Sequence, residues 1–236
     1  MSHGHYTSLR IRLPERERNR WIDGREARRR VSGIVGACGI DLPCEFFHRD
    51  ANGSTLNGAP HVVFDRAKGA FQFVGIGPVG SEAIRSFGHG ITSVLRLQYG
   101  EPLMENWASG PMSCEEVPYA KTYAVRSLFI QRPGKCRALL EASKAGRLSQ
   151  EAVRARVIEV LRAGVVTLCH RLEIDAPEML IEAVEYESVR PLEYTGGLAL
   201  AAQNVTFRCN LDLKGQWYAG HLRSAGMGRI VAIGRS

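Results

Sequence analysis

Between Tyr218 and Arg229 the chain reads Tyr-Ala-Gly-His-Leu-Arg-Ser-Ala-Gly-Met-Gly-Arg. Gly220, Gly226 and Gly228 let a backbone approach a bulky ligand and take positive φ. Arg223 and Arg229 bring forked, charged donors to the same stretch. The chemistry that suits this loop is a grip on phosphate, with the His221 ring inside it. A tight surface turn in an Arg-rich chain is the plain alternative. The glycines do not make Gly-x-Gly-x-x-Gly, which argues against a dinucleotide site.

A second basic run precedes and enters the first helix: Arg16, Arg18, Arg20, Arg25, Arg28, Arg29 and Arg30 fall within fifteen residues. Arginine stays protonated at ordinary pH, so it is a poor general base but a good stabiliser of anionic charge. The plain alternative is a solvated or ligand-gripping face without a chemical role. Among the histidines, His48 follows the first helix and can reach the same cleft. His3 and His5 lie near the start, and His170 ends a long helix where a cation suits the dipole. Trp217 and Tyr218 can stack on bases, although alternating aromatics before a turn more often belong to a core.

The bulk numbers point the same way. The net charge is +7, the pI is near 9.3, and 26 of the 31 basic residues are Arg. Such a chain favours an acidic partner, nucleic acid first and a membrane surface second. The apolar fraction of 44% suffices for a real core. Cysteines 38, 44, 114, 136, 169 and 209 form no Cys-x-x-Cys, and no His pair has zinc spacing, so neither a metal nor a cofactor is expected. Cys38, Cys136 and Cys169 read as buried thiols. No apolar run reaches membrane-spanning length and no secretion signal opens the chain, so a cytoplasmic protein without a membrane partner is expected.

The elements that must position these residues follow from periodicity. Residues 6–13 alternate, with Leu9, Ile11 and Leu13 opposite Arg10 and Arg12, and read as a half-buried strand. A helix is expected over 25–39, with Ala27, Val31, Ile34, Val35 and Cys38 on one face, Arg25 and Arg29 opposite, and Arg28 and Arg30 on the flanks. Phe46-Phe47 begins a short strand. His61–Asp65 and Ala70–Ile76 form a hairpin around Arg66–Gly69. Ser81 caps a helix over 82–96. Residues 99–121, with Gly100, Pro102, Gly110, Pro111 and Pro118, read as the domain boundary. A strand over 122–130, a short helix over 133–144 and a long helix capped by Ser149 follow. Strand-like runs lie near 180–190, 203–213 and 229–234. The expected fold class is α+β: two tandem ferredoxin-like (βαββαβ, RRM-like) domains over residues 1–113 and 114–236, with the glycine-rich loop near the C-terminus.

Four stretches together resemble the CRISPR repeat-RNA-processing endoribonucleases, RAMP proteins built from two ferredoxin-like domains. They are Pro60 to Gly77, Arg156 to Ile174, Asn204 to Leu213, and Gly220 to Gly228 with its Gly-Met-Gly end. Two departures stand out. Met227 occupies a place where the family often has a phenyl ring, and the 25–39 helix lacks the histidine many members carry. Arginines stand there instead, which suggests a divergent branch such as the type IV one.

The resemblance implies metal-independent cleavage of a CRISPR repeat stem-loop by 2′-hydroxyl attack, leaving a 2′,3′-cyclic phosphate and a 5′-hydroxyl. It also implies retention of the product in an effector complex with other CRISPR subunits. In that reading Arg20, Arg25, Arg28 and His48 carry the chemistry. Arg16, Arg18, Arg29, Arg30, Gly220, His221, Arg223, Gly226, Gly228 and Arg229 bind RNA. A non-catalytic RAMP subunit that caps guide RNA remains the alternative, and a basic α+β enzyme of a small anion stands behind it.

Overall fold

The computed structural model describes residues 4–40, 42–49, 52, 58–131, 137–194 and 197–234. The fold is α+β, and the chain divides into two compact units. The first comprises Met1–Met112, Arg171–Ile174 and Ser224–Gly226, and the second Ser113–His170, Asp175–Arg223 and Met227–Ser236.

The first unit opens with β1 (Gly4–Arg12), whose burial alternates as its sequence does: Leu9 and Ile11 are buried, Arg10 and Arg12 exposed. A short strand, β2 (Trp21–Ile22), leads into α1 (Gly24–Ala37). The Asp23 side chain caps α1, accepting from the Glu26 backbone N–H at 2.7 Å. Ala27, Val31 and Val35 face the core. Arg25 and Arg29 are exposed, and Arg28 and Arg30 are half-buried on the flanks. The expected arc ends one turn early, because Cys38 is exposed rather than buried. Phe46 and Phe47 lie in a 3-10 turn over Cys44–Phe47, not a strand. Their rings stack into the core instead of pairing backbone: Phe46 packs edge-on to Phe64 at 5.7 Å, and Phe64 to Phe73 at 5.3 Å.

The hairpin forms from β3 (Val62–Asp65) and β5 (Ala70–Ile76), antiparallel with Phe64 opposite Phe73. Inside its connection, β4 (Ala67–Lys68) pairs with β2. The next helix, α2 (Gly77–Tyr99), begins four residues before Ser81, with a proline in its first turn. Ser81 is buried within the helix, its hydroxyl donating to the Gly75 carbonyl at 3.5 Å. Gly88, inside this helix, has a packing reason: Trp107 and Leu9 pack where a Cβ would stand.

The stretch 99–121, where a domain boundary is expected, contains the change of unit between Met112 and Ser113, yet most of it is strand. Only its first residues are irregular, and β6 runs from Met104 to Gln131. Met104–Met112 pairs with β1, giving a first-unit order β6-β1-β5-β3, all antiparallel. The prolines fit for physical reasons. Pro111 lies where β6 borders β1, and Pro118 lies in a bulge between Glu116 and Lys121. Helices α1 and α2 pack side by side against this sheet, over a core of Leu9, Ile11, Phe71, Phe73, Ile84 and Ile91.

In the second unit, β6 continues against β9 (Gly197–Lys214), which pairs on its other side with β7 (Ile181–Glu185) and β8 (Ser188–Tyr194). The far side of β6 holds β11 (Arg229–Ala232), next to β10 (Trp217–Tyr218). The helices are α3 (Arg137–Lys144) and α4 (Gln150–Leu172). Ser149 accepts from the Ala152 N–H at 3.4 Å, as an N-cap should. Val153, Val157, Val160, Leu161 and Leu168 are buried along α4 as one stripe. Trp217 and Tyr218 are core residues, 1% and 0% exposed. Cys169 is buried; Cys136, His3 and part of the 133–144 stretch lie outside the described residues.

Candidate functional site

The basic run is a network before it is a surface. Glu17 and Glu26 stand between its arginines. Arg20 meets Glu26 at 2.7 Å and Glu17 at 3.7 Å, and Arg30 meets Glu17 at 2.8 Å and Glu26 at 3.0 Å. Arg30 also donates to the Tyr99 hydroxyl at 3.1 Å. Burial works against the Arg30 charge, but the Glu17 hydrogen bond and the fields of Tyr99, Glu17 and Glu26 outweigh it and raise its pKa. Burial, then Glu17, pushes the Tyr99 phenol up as well. Arg18 pairs with Glu15 at 3.1 Å on the surface, and Arg16 lies over the Tyr99 ring at 5.8 Å.

Arg25 and Arg29 differ. Both are exposed on the outer side of α1, and Arg29 makes no hydrogen bond or ion pair among the described residues. Arg25 sits in the first turn of α1, where the helix dipole is positive. A cation at that end adds to the helix field, so the site favours an anion. Arg28 turns inward, donating to the Phe47 carbonyl with its guanidinium 5.6 Å from the Phe47 ring. The next residue, His48, is 8% exposed and holds φ 55°. The structure thus brings Arg28 against the turn that carries His48.

The middle of the glycine-rich stretch belongs to this same unit. Ser224–Gly226 lies against the start of α1 and the end of β3. A Cβ on Gly24 would fall 1.8 Å from the Phe64 carbonyl oxygen and 2.3 Å from that of Ala225. Gly226, at φ 71°, would put its Cβ 2.5 Å from the Phe64 oxygen. Only glycine at both places permits the segment to seat on the Arg25 end of the helix.

The rest of the stretch is in the second unit. Gly220 is buried at φ 82°, and the His221 N–H donates to the Phe129 carbonyl at 3.0 Å. Gly228 donates to Ser127 at 3.1 Å and accepts from Ala219 at 2.8 Å. Arg229 opens β11 opposite Tyr218, and His221, Arg223 and Arg229 are half-buried.

Glu17, Glu26 and Tyr99 escaped the sequence reading. The spacing Asp23-x-x-Glu26 is a capping-box signal that would have marked Glu26; nothing local marks Tyr99. His89 and Glu105 were also missed. Their pair, His89 Nδ1 to Glu105 Oε2 at 2.9 Å, joins α2 to β6 with Trp107 donating to the same carboxylate at 2.8 Å. Among the described residues no group of three or more His, Cys, Asp and Glu could hold a metal ion. No helix among them is long and apolar enough to cross a membrane.

The family model described as type IV CRISPR-associated endonuclease Csf5 matches residues 5–234. No curated protein matches the chain. Among solved structures, one described as Csf5, a CRISPR-Cas type IV Cas6 crRNA endonuclease, is 19% identical, with a TM-score of 0.65 over 98% of this chain and 100% of that one. A crystal structure of Cas6b is 15% identical, with a TM-score of 0.64 over 98% and 100%. A crystal structure of the CRISPR RNA processing endoribonuclease Cas6b is 12% identical, with a TM-score of 0.59 over 97% and 100%. At such identities the likeness is one of fold, and it spans nearly the whole chain.

Proposed function

Because the chain belongs to the type IV CRISPR-associated endonuclease Csf5 family, we propose that it matures CRISPR RNA by cutting the repeat stem-loop of the precursor and then stays with its product among the other effector subunits. The observation that carries this reading is the seating of Ser224–Gly226 on the α1 end that bears Arg25.

The domains in this reading are ferredoxin-like, the first over residues 1–113 and the second over 114–236. In the first unit the order β1-α1-β3-β5-α2-β6 with β6 beside β1 supports it. In the second, β11 lies beside β6 and β9 on the other side of it, while the Gly220–Gly228 stretch stands where a second helix would come.

The reaction is 2′-hydroxyl attack on the adjacent phosphorus, giving a 2′,3′-cyclic phosphate and a 5′-hydroxyl. It needs in-line alignment and donors where charge builds on the phosphorane oxygens. Arg25 supplies charge from the exposed helix end. Arg28 and Arg20 supply it from behind, and Arg20 contributes less because Glu26 and Glu17 share its charge. His48 is the proton carrier. Arg29 and Arg16 grip the stem by its phosphates, with Arg18 and Arg30 lending field behind them. Gly220, His221, Arg223, Gly226, Gly228 and Arg229 hold the strand. No metal or cofactor enters this scheme.

One observation favours a second reading. So much of the basic run is committed to Glu15, Glu17 and Glu26 that it can act as a clamp alone, which describes a subunit that caps guide RNA without cutting. Labelled stem-loop repeat RNA in EDTA separates the two. Cutting that survives EDTA and disappears with a 2′-deoxy group at the cut site supports the nuclease. Tight binding without cutting supports the cap.

A further inference from the structure

Trp21 is 52% exposed, the most open of the three tryptophans, with Trp107 at 37% and Trp217 at 1%. It occupies β2, and its cross-strand partner in β4 is Lys68. The Arg66 guanidinium lies 4.5 Å from the centre of its ring. Arg10 donates to the Lys68 carbonyl at 3.1 Å from the neighbouring β1. Arg10, Arg12 and Lys68 are all exposed. The side chains of Arg10 and Arg12 alternate with the core residues Leu9 and Ile11, so they project from the sheet face opposite α1 and α2. None of these five residues belongs to the α1 network or to the glycine-rich stretch.

A flat, exposed indole backed by a guanidinium, with a lysine on the facing strand and exposed arginines on the neighbouring one, is the arrangement that stacks a nucleobase and holds the phosphates on either side of it. We infer that Trp21, Arg66, Lys68, Arg10 and Arg12 form a binding site for unpaired RNA, with one base stacked on Trp21. The inference rests on RNA being the ligand of this protein and assigns a separate part of it, the single strand flanking the stem. The occupant is RNA rather than an acidic protein because stacking needs a π-face in the ligand, and the net charge of +7 matches a polyanion. Trp21 stands two residues before the Asp23 cap of α1. Trp21 and Arg25 therefore flank the N-terminal cap of α1.

The full-length protein is titrated with oligoadenylate while indole fluorescence is followed. The chain has three tryptophans, and Trp217 is buried, so the signal that disappears in Trp21→Phe relative to wild type reports Trp21. Quenching present in wild type and absent in Trp21→Phe is expected. Trp21→Ala is expected to weaken oligoadenylate binding by roughly 5- to 150-fold, the worth of one base stack. Binding and cutting of a bare stem-loop without flanks stay as in wild type. Lys68→Glu, which leaves the ring in place, weakens oligoadenylate in the same direction and guards against a Trp21→Ala variant that folds poorly.

Oligoadenylate that leaves Trp21 fluorescence unchanged, or binds wild type and Trp21→Ala equally, overturns the inference, and an acidic protein partner then becomes the better occupant. If the bare stem-loop is neither bound nor cut while oligoadenylate still quenches Trp21, the proposed function fails and this site stands. Normal handling of the stem-loop with no quenching is failure of this site alone.

Discussion

Arg30 illustrates how one side chain can organise a site without facing the ligand. Its guanidinium spans Glu17, Glu26 and the Tyr99 hydroxyl, and its own exposure is 22%. Removing it leaves two half-buried carboxylates with Arg20 as their remaining cation in the network. Hydrogen bonds to charged groups contribute about 1.5–3 kcal/mol, so Arg30→Ala should lower stability by about 2 kcal/mol in a urea titration. Arg30→Lys should recover only part of it, because an ammonium cannot reproduce the fork. Glu105 carries a pH prediction. Burial would raise its pKa, but hydrogen bonds from Trp107 and Thr92 and the fields of His89 and Arg96 outweigh burial and hold it below the usual carboxylate value. A depressed folded pKa means stability that is present above the unfolded value of about 4.3 and is lost as pH falls through the folded one. Trp107→Phe removes the strongest lowering partner. The Glu105 carboxyl should then titrate at higher pH by NMR, and acid unfolding should begin earlier.

At the scale of elements, α1 offers two glycines with opposite meanings. Gly24 has no room for a methyl group, while Gly33 has nothing within 4 Å of a Cβ. Gly24→Ala should unseat Ser224–Gly226 and abolish cutting. Gly33→Ala should leave cutting intact and add about 0.5–1 kcal/mol, the gain of alanine over glycine in a helix interior. Activity and thermal unfolding of the two variants check this directly. The same helix shows what a sequence can reveal. Its periodicity told which arginines face out and which lie on the flanks, because burial of Ala27, Val31 and Val35 sets the rotation of the whole element. It could not tell that Glu17 and Glu26 would claim Arg20 and Arg30, because that pairing depends on where the 3-10 turn over Glu15–Glu17, ahead of β2, lands. β6 was hidden for a different reason. Glycine and proline punctuate most chains at turns, yet a proline is harmless where a strand has a single neighbour or bulges, and β6 uses both exceptions. Trp21 was passed over because a two-residue strand has no periodicity to read.

At the scale of the molecule, the charge of +7 makes RNA affinity a function of salt. Affinity for repeat RNA should fall linearly with ionic strength on a log–log plot. Replacing Arg25 and Arg29 together should flatten the slope by roughly 0.7–0.9 for each phosphate no longer neutralised, whatever the sequence of the stem. A slope unchanged by the double variant would remove α1 from the RNA-binding surface. The division of the chain has a consequence of another kind. The first unit takes in Met1–Met112 but also Arg171–Ile174 and Ser224–Gly226. During synthesis its opening strands emerge early, and the piece that rests on Gly24 emerges only after β6, α4 and β9 have been made. A nascent chain therefore carries its arginine-bearing helix without the segment that completes it. Completion of the first unit therefore waits on the synthesis of most of the second.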